Sequence, residues 1–442
     1  MTEKELEEYT EELKKRGISP GLDAIKQLLS KLDDPQDKLK AVHIAGTNGK
    51  GSILAYISSV TKEAGYKTGR YFSPSLEGEY KNIQINGRPL SRAKILVFMD
   101  KIKTADESLA KEGNRGPTLF EAQTALAFLC FVSEKTDIAV IECGMGGRLD
   151  ATNVISSPLA CVFAHIDMDH ASFLGDTLEE IAENKAGIVK KGAELISVMQ
   201  HGCDGERGAS VSAVLMNAAK KADAEISFAA PLNIRYKKDE TLFDTENFKD
   251  LKISLKGDFQ PANAAAAVKA VESLSKRGFE ISEKALRKGL ADTVWPGRFE
   301  MIKYGKYDLI LDGAHNPDAA GMLKESLKHY AKGKAVFIMG MFADKEWEKI
   351  LHILAPCMSD IVCLSLPDRN RSLPGNVLAE AAMKAGIRAS ACGSIEEAFE
   401  TARVLAQADG IKTIVATGSL SYLHSLKKMT DKNTVDKERS NR

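Results

Sequence analysis

The sequence predicts an α/β fold in more than one domain, on three grounds. Apolar runs of strand length alternate with helical stretches along most of the 442 residues, a pattern typical of a largely parallel sheet covered on both faces. One such run, 40–45, is followed by a glycine-rich turn at 46–51 and a helix that reaches Ala64, the usual beginning of an α/β sheet. The chain is also too long for one ordinary core. Two domains are therefore expected.

The first domain is expected to begin with helices and to continue as alternating strands and helices. Thr2 and Glu5 form a capping-box pattern, which predicts a helix that ends at Gly17. Short alternating runs between 226 and 255 predict an antiparallel edge or flap, and the Ala-rich segment 260–275 predicts a helix. Further strands are expected at 137–142, 159–166 and 194–199, and further helices at 118–132 and 178–188.

The domain boundary is predicted at Trp295-Pro296-Gly297-Arg298, where proline and glycine interrupt one regular pattern before another begins. We therefore assign 1–295 to the first domain and 296–428 to a smaller, Rossmann-like, doubly wound domain. The remaining residues, 429–442, are polar and without periodicity, and they are predicted to form a disordered tail. Strands of the second domain are expected at 308–311, 335–339, 361–366 and 413–416.

The composition excludes several classes of protein. The 61 basic and 61 acidic residues cancel, so no net field attracts nucleic acid or an anionic membrane. The longest apolar run, 124–132, is too short to span a bilayer, and the acidic N-terminus does not have the pattern of a signal peptide. The 7 cysteines are dispersed without a CxxC pair, which favours a reducing compartment. A cytoplasmic enzyme is expected.

The glycine-rich turn carries the strongest chemical signal, Gly46-Thr47-Asn48-Gly49-Lys50-Gly51-Ser52. Glycines let backbone N–H groups turn toward a phosphate, and the start of the following helix adds a favourable dipole. Lys50 supplies a positive charge for the β- and γ-phosphates of a nucleotide. The loop is not a strict GxxxxGK[ST] motif, so a glycine-rich turn with a surface lysine is the alternative. The strand before and the helix after favour a phosphate-binding loop.

A second signal is Glu142, which ends an apolar strand and precedes the glycine-rich stretch 143–150. A carboxylate at the carboxyl end of a parallel strand, beside a phosphate loop, occupies the usual position of a Mg²⁺ ligand. The glycines there are expected to allow a ligand to approach closely, which weakens the alternative of a carboxylate in water.

Asp167-Met168-Asp169-His170 follows the next strand. Taken alone, His170 is an ordinary loop histidine; beside Glu142 it becomes a candidate metal ligand, although Mg²⁺ prefers oxygen donors. The segment Asn184-Lys185-Ala186-Gly187 lacks the aspartate of the guanine-reading NKxD motif, so that interpretation is rejected.

Asp312-Gly313-Ala314-His315-Asn316-Pro317 follows the first strand of the second domain. Its carboxylate, imidazole and amide suggest contacts to a nucleotide. Turn chemistry that caps the next helix explains the same residues equally well.

Taken in order, these segments resemble the folylpolyglutamate synthase/dihydrofolate synthase family of the Mur-ligase superfamily, over nearly the whole chain. Single motifs would not be specific, but the ordered series is. It comprises 46–52, Ser73-Pro74, ECGMGGRLDATN at 142–153, Asp169-His170 with Leu174-Gly175, IAENKAGI at 181–188, WPGRFE at 295–300, 312–317 and Thr417-Gly418-Ser419-Leu420.

The resemblance implies a P-loop-containing, Mur-ligase-like ATPase domain followed by the Rossmann-like domain. It implies an ATP-dependent amide ligase that adds L-glutamate to a folate or dihydropteroate carboxylate through an acyl phosphate. Asp150 and the segment 21–23 are expected near the pterin-containing substrate, and Lys50, Lys185, His170 and Asp150 are the expected catalytic residues. The implied ATP contacts are Asn48, Gly49, Lys50, Gly51, Ser52, Asn263, Arg298, Asp312 and His315, and the implied Mg²⁺ ligands, for two ions, are Ser73, Glu142, His170 and a carbamylated Lys185.

The chain departs from the family pattern in the loop after Ser73-Pro74, where Lys81-Asn82 replaces the usual Glu-Arg, and at Ser75 and Phe259. These departures concern the carboxylate substrate more than the reaction. A related Mur-type ligase acting on another carboxylate and a non-ligase nucleotide-binding protein are the alternatives. A monomer without nucleic-acid or membrane partners is expected, and the choice between dihydropteroate and reduced folates stays open, as does the number of glutamates added.

Overall fold

The computed structural model describes residues 1–75, 78–200 and 206–440, with side chains described as far as Asp431. Clustering of contacts divides the chain into two units. The first comprises Met1–Asn233, Phe243–Lys252 and Ala262–Thr293, and the second comprises Ile234–Leu242, Ile253–Pro261 and the chain from Val294.

Within the described residues, the first unit contains a large sheet with the helices packed on it. The helices are α1 (Glu3–Lys15), α2 (Asp23–Ser30), α3 (Lys50–Glu63), α4 (Arg92–Lys111), α5 (Leu119–Ser133), α6 (Ala171–Leu174), α7 (Leu178–Ala186), α8 (Glu206–Ala222), α9 (Gln260–Lys276) and α10 (Glu283–Ala291). The strands are β1 (Ala41–Ala45), β2 (Thr68–Tyr71), β3 (Ile83–Ile85), β4 (Arg88–Pro89), β5 (Ile138–Glu142), β6 (Ala160–Phe163), β7 (Glu194–Val198) and β8 (Ile226–Ala229).

The order of this sheet is β4-β3-β2-β5-β1-β6-β7-β8. Strands β2, β5, β1, β6, β7 and β8 are parallel to one another, and β3 and β4 extend the sheet beyond β2 with antiparallel pairing. Every residue of β1, β5, β6 and β7 is buried, so both faces of the sheet centre are covered, as the continuous apolar runs predicted. β1 lies between β5 and β6, and the carboxyl ends of these three strands position the candidate site.

The second unit has its own sheet, which contains in spatial order β12 (Glu300–Tyr304), β13 (Tyr307–Leu311), β17 (Thr413–Thr417), β14 (Ala335–Met339), β15 (Met358–Leu364) and β16 (Arg388–Cys392). Only the β12-β13 pair is antiparallel. Successive residues along these strands belong to two different apolar clusters, for example Phe337 to one and Ile338 to the other. Each face of the sheet therefore has its own apolar cluster, and helices cover both faces. Its described helices are α11 (Pro317–Tyr330), α12 (Trp347–Leu354), α13 (Gly375–Lys384), α14 (Ile395–Ala408) and α15 (Leu420–Ser440).

These two sheets confirm the predicted α/β class, with a larger first and a smaller second part. A three-stranded sheet is also present, formed by β9 (Leu232–Tyr236), β10 (Thr241–Asp244) and β11 (Leu251–Ile253), where an antiparallel edge or flap was predicted. Two segments of this region belong to the second unit, whereas the predicted boundary at 295/296 leaves them in the first. The reason is visible in the contacts, since Tyr236 stacks on His329 and Asp258 N donates to Ser326 Oγ.

The end of the chain also differs from the prediction. α15 continues to Ser440, past position 428, where a disordered tail was expected, and residues 441–442 lie outside the described residues. The segment 420–440 contains neither glycine nor proline, so no residue stops the helix that begins at Leu420. Among the described helices, none combines the length and the apolar character needed to cross a membrane.

Candidate active site

The glycine-rich loop 46–52 is fastened to the end of the neighbouring strand β6. Thr47 N and Asn48 N both donate to His165 O, at 2.7 and 3.1 Å, and Thr47 Oγ1 donates to Asp167 O at 2.8 Å. Gly46 has φ +143°, and a Cβ there would lie 2.7 Å from Ala164 Cβ. Only glycine therefore allows β1 to leave the sheet this close to β6.

The second half of the loop begins helix α3 without a side-chain cap. Gly49 is the N-cap residue in a left-handed conformation, and it offers no side chain to the first N–H groups of the helix. The first helical hydrogen bond runs from Ile53 N to Gly49 O. The start of α3 thus combines the positive end of the helix dipole with N–H groups that no capping side chain satisfies, which is the arrangement that binds phosphate.

Asn263 of α9 lies against this helix start. A Cβ on Gly49 would come within 2.5 Å of Asn263 Oδ1, so glycine is required here by both conformation and space. Asn263 is buried, and among the described residues its Nδ2 has no hydrogen-bond partner. A buried amide donor without an acceptor is costly, and a phosphate oxygen would supply that acceptor.

Lys50 and Glu142 lie together at the carboxyl ends of β1 and β5. The register pairs Ile44 with Glu142, which brings the carboxylate beside the loop. Lys50 Nζ donates to Thr47 O at 3.2 Å and lies 3.9 Å from Glu142 Oε1. The Glu142 side chain is only 5% exposed, so this carboxylate is not the solvated strand end of the alternative interpretation.

Lys185, in the last turn of α7, reaches the same loop. Its side chain is buried, and Nζ donates to Gly46 O at 3.0 Å. Burial, and after it the nearby charge of Lys50, lowers the pKa of Lys185 to about 7. The structure thus brings together Lys50, Glu142, Lys185 and Asn263 around the loop. The metal-supporting role of Lys185 stays a prediction.

The glycines after Glu142 allow protein atoms to pack closely against the backbone, whereas the sequence predicted that they allow a ligand to approach. A Cβ on Gly144 would lie 2.5 Å from Phe120, and one on Gly147 would lie 2.4 Å from Lys185 O. Asn184 Oδ1 also accepts Gly147 N at 3.2 Å. The expectation that these glycines admit a ligand is therefore wrong for both positions, because protein atoms of α5 and α7 fill the space. Close packing against α7 helps to set the position of Lys185.

Asp150 organises the end of the same loop. Its Oδ2 accepts Met145 N at 2.9 Å, and its Oδ1 accepts Thr152 N at 2.9 Å. Burial raises the pKa of Asp150, and the hydrogen bonds from Thr152 and the loop backbone oppose that rise. Gly21 N donates to Leu149 O at 3.4 Å, so the segment 21–23 does lie beside Asp150. Contact of either with a pterin stays a prediction.

His170 and Ser73 complete the predicted metal ligands. His170 is the residue before α6, with φ +54°, a side chain 41% exposed, and Nε2 3.8 Å from Asp169 Oδ2. Ser73 is partly buried and precedes Pro74. Their roles as ligands stay predictions.

Lys81 and Asn82, which stand where the family usually has Glu-Arg, differ in their burial. Asn82 is buried, its carbonyl accepts Phe72 N at 3.3 Å, and its Oδ1 has no hydrogen-bond partner among the described residues. Lys81 is exposed. An arginine in place of Asn82 would have to be buried, so only Lys81 offers a side chain to a substrate from this pair.

In the second unit, the polar side chains of the segment 312–317 form hydrogen bonds with nearby backbone groups. Asp312 Oδ2 accepts Phe299 N at 2.8 Å, and Oδ1 accepts Ala314 N at 2.9 Å. Burial raises the pKa of Asp312 to about 6, although the charge of Arg298 acts in the opposite direction. His315 Nδ1 donates to Gly313 O at 2.8 Å, and Asn316 caps α11. The turn-and-cap interpretation is realised, and the ATP contacts of Arg298, Asp312 and His315 stay predictions.

Sequence reasoning gave no structural role to three residues of the first unit: Asn184, which anchors Gly147, and the buried pair His43 and Thr152. A histidine in the middle of the apolar run 40–45 was the available signal for His43, since a polar side chain inside a buried strand needs a specific partner. Its partner is Thr152, whose Oγ1 lies 2.8 Å from His43 Nε2.

Known proteins share both units of this chain. The Mur ligase middle domain family matches residues 44–271, and the Mur ligase glutamate ligase domain family matches residues 297–420. The dihydrofolate synthase/folylpolyglutamate synthase of Bacillus subtilis is 37% identical over 351 residues, which are 76% of this chain and 79% of that protein. The folylpolyglutamate synthase of Lacticaseibacillus casei is 31% identical over 421 residues, 91% of this chain and 92% of that protein. The chain belongs to the folylpolyglutamate synthase/dihydrofolate synthase family of the Mur ligases.

Solved structures of this family share the fold. The folylpolyglutamate synthase of Mycobacterium tuberculosis complexed with ADP has a TM-score of 0.87 at 28% identity, covering 96% of this chain and 98% of that one. Escherichia coli FolC in complex with DHPP and ADP has a TM-score of 0.83 at 27% identity, with 97% of each chain covered. These matches confirm the predicted family and the predicted α/β fold of a Mur-ligase-like domain followed by a second α/β domain.

Proposed function

We propose that this protein is an ATP-dependent ligase that joins the amino group of L-glutamate to a carboxylate of folate or dihydropteroate. The observation that carries the proposal is the group around loop 46–52, where Lys50, Glu142, Lys185 and Asn263 meet at the start of α3. Among the described residues, Asn263 Nδ2 has no hydrogen-bond partner and no side chain caps this helix start. The relatives named as folylpolyglutamate or dihydrofolate synthases supply the acceptor and the amine. Membership in a ligase family sets the non-ligase alternative aside.

The reaction follows from these groups in two steps. An oxygen of the acceptor carboxylate bonds to the γ-phosphorus of ATP as the bond to the bridging oxygen breaks, which gives an acyl phosphate and ADP. The glutamate amine then bonds to the acyl carbon, phosphate leaves, and the nitrogen loses a proton. Lys50 and the N–H groups at the start of α3 stabilise the negative charge that spreads over the transferred phosphoryl group.

We further propose that Mg²⁺ accompanies ATP. Glu142 fits this role because its carboxylate is buried at the end of β5 beside the loop, and Mg²⁺ prefers carboxylate oxygens. Ser73 and His170 are the other proposed ligands, with Lys185 supporting a second ion. When bound, the ions would supply Lewis-acid polarisation of the phosphoryl oxygens.

For Lys185 we propose carbamylation, in which the amine nitrogen bonds to the carbon of CO₂ and releases one proton. The reaction needs a neutral amine, and burial of Lys185 favours that form. An ammonium has no lone pair for a metal, whereas a carbamate has oxygen donors. We also propose a monomeric enzyme, testable by light scattering, and a cytoplasmic location, in keeping with the dispersed free thiols.

The test is a panel of acceptors with ADP release as the measurement. Dihydropteroate, dihydrofolate and tetrahydrofolate are each supplied with and without L-glutamate, and a muramoyl peptide serves as an acceptor from another Mur-type reaction. ADP should form only when a pteroyl acceptor and glutamate are both present, and mass spectrometry should find one added glutamyl residue or more. The proposal would be overturned if the muramoyl peptide were the one acceptor that led to ADP release. It would also be overturned if no pteroyl acceptor led to ADP release.

A further inference from the structure

A chain of buried polar side chains connects the two ends of the loop that follows Glu142. Thr152 Oγ1 lies 2.5 Å from Asp150 Oδ1 and 2.8 Å from His43 Nε2, and Cys143 Sγ lies 3.1 Å from the same His43 nitrogen. His43 and Thr152 are fully buried, and Cys143 is nearly so. His43 of β1 therefore contacts the first residue of the segment 143–152 and its last.

The direction of the hydrogen bonds follows from what each group can donate. Asp150 already accepts backbone N–H groups at both oxygens, so the Thr152 hydroxyl donates its one proton to Oδ1. Thr152 Oγ1 must then accept from His43, which requires the proton on Nε2. The other ring nitrogen, Nδ1, is buried without a hydrogen-bond partner among the described residues, as the Nε2–H tautomer predicts.

The loop spanned by these hydrogen bonds joins two parts of the proposed site. The loop begins directly after Glu142, the proposed metal ligand, and ends at Asp150, the proposed neighbour of the acceptor. A displacement of one end relative to the other would separate the phosphoryl group from the carboxylate that attacks it. Such misplacement is costly, because a shift of about 1 Å can slow a reaction by about 100-fold.

We propose that His43 and Thr152 are positioning residues of the ligation reaction, which hold Asp150 and Cys143 so that the acceptor side of the loop stays in register with Glu142. The proposal rests on the proposed function. Among the described residues, the side-chain hydrogen bonds of His43 and Thr152 reach Cys143 and Asp150 and not the phosphate loop 46–52, so acceptor use should change and ATP binding should not.

The decisive variant is Thr152→Val, which keeps the shape and removes the hydroxyl. We expect kcat/KM for the pteroyl acceptor to fall about 10- to 100-fold, while KM for ATP stays within about twofold of the wild-type value. Thr152→Ser restores the hydroxyl and should recover most of the lost acceptor kcat/KM. Should the valine variant fail to fold, the pair His43→Leu and His43→Gln decides the question, because glutamine retains an N–H donor and leucine does not.

The matched control is Thr61→Val. Thr61 is another fully buried threonine of the first unit, whose hydroxyl donates to Ile57 O at 2.9 Å and lies 2.9 Å from Thr68 Oγ1. It should lose thermal stability as Thr152→Val does and keep its kinetic constants. Equal acceptor kcat/KM in the wild type and in Thr152→Val would overturn the proposal, and so would a KM for ATP that rises in step with the acceptor loss.

Amide hydrogen exchange separates this proposal from the proposed function, because it needs no substrate. Exchange in 144–151 should become faster in Thr152→Val and stay unchanged in Thr61→Val. If the wild-type protein ligates no folate, the proposed function fails and the proposed role in ligation fails with it, yet faster exchange still identifies a brace of the loop. If the wild-type enzyme is active and the exchange is unchanged, only the present proposal is overturned.

Discussion

Two segments of this molecule have the same outline, a buried parallel strand followed by a glycine-containing turn and a helix. In the first unit β1 leads through 46–49 to α3, and in the second unit β13 leads through 312–316 to α11. Among the described residues, no side chain caps the start of α3. The start of α11 is capped by Asn316 Oδ1, which accepts Ala319 N at 2.8 Å, and Pro317 occupies a first-turn position.

The difference shows that a strand–turn–helix outline does not by itself predict an anion site. At α11 the Asn316 side chain accepts the N–H of Ala319 in the first turn of the helix, and in the preceding turn Asp312 accepts the N–H groups of Phe299 and Ala314. At α3 no side chain of the described residues caps the helix start, and the Lys50 ammonium and the buried Lys185 amine lie beside the loop that leads to it. A helix start is prepared for phosphate when it has charge of the right sign and no internal cap.

The largest effect is expected from Lys50→Ala, which removes a positive charge from the start of α3, the proposed phosphate site. Glutamate-dependent ADP formation should fall by about 100- to 1,000-fold, and circular dichroism should show an unchanged fold. Lys62→Ala, an exposed lysine of the same helix, is the control and should keep wild-type activity. Near-normal ligation by Lys50→Ala would remove the contrast between the two helix starts.

Lys185→Ala should lose about 100-fold or more of the ligase activity, because the donor to Gly46 O and the proposed metal-supporting group both disappear from the site. If the functional group is a carbamate, a short carboxylic acid added in solution should restore part of the loss by occupying the vacated space. Lys191→Ala, an exposed lysine, should respond neither to mutation nor to the acid. Full activity of Lys185→Ala without acid would exclude the role.

A feature of this fold or of the candidate site could be predicted from the sequence when the residues that determine it are close together along the chain. The order of strands, the glycine turn and the helix that follows it are local patterns, and the structure confirms them. The contact of Lys185 with Gly46 joins residues far apart in sequence, and only the family resemblance indicated that Lys185 belongs to the site.

The glycines at 144 and 147 show what local patterns cannot supply. A glycine indicates that something approaches the backbone closely, but the sequence does not say whether the approaching group is a ligand or another part of the protein. Here the approaching groups are Phe120 and α7. His43 was missed for the same reason, because its partner Thr152 is 109 positions away along the chain.

A third prediction concerns the pH dependence of stability at Asp312, whose carboxylate accepts the N–H groups of Phe299 and Ala314. Burial raises its pKa to about 6 from an ordinary 3.8, so between these values the folded protein binds more protons than the unfolded protein. The stability contribution of Asp312 therefore falls as the pH rises through this window, by roughly 3 kcal/mol in total. Asp312→Asn cannot titrate, so its free energy of unfolding should improve relative to wild type between pH 4 and pH 7.

The measurement is denaturant unfolding followed by tryptophan fluorescence, since Trp295 and Trp347 are the only two tryptophans and both belong to the second unit. The asparagine keeps one acceptor for the two N–H groups, which adds a cost that does not depend on pH. The difference between the two proteins must therefore change with pH. Parallel profiles of wild type and Asp312→Asn would contradict the prediction.

The smallest effect is expected from Asn316→Ala, and it tests the comparison most directly. Removing a side-chain N-cap costs about 1 kcal/mol of stability, and the tryptophan fluorescence of the second unit should report it. Asn316→Asp keeps an acceptor for Ala319 N and should recover most of that loss. Ser394→Ala removes the cap of α14, where Ser394 Oγ accepts Glu397 N, and should cost a similar amount. If Asn316→Ala instead left stability unchanged and raised the KM for ATP, the start of α11 would be a nucleotide-binding site like that of α3. The contrast drawn between the two units would then be wrong.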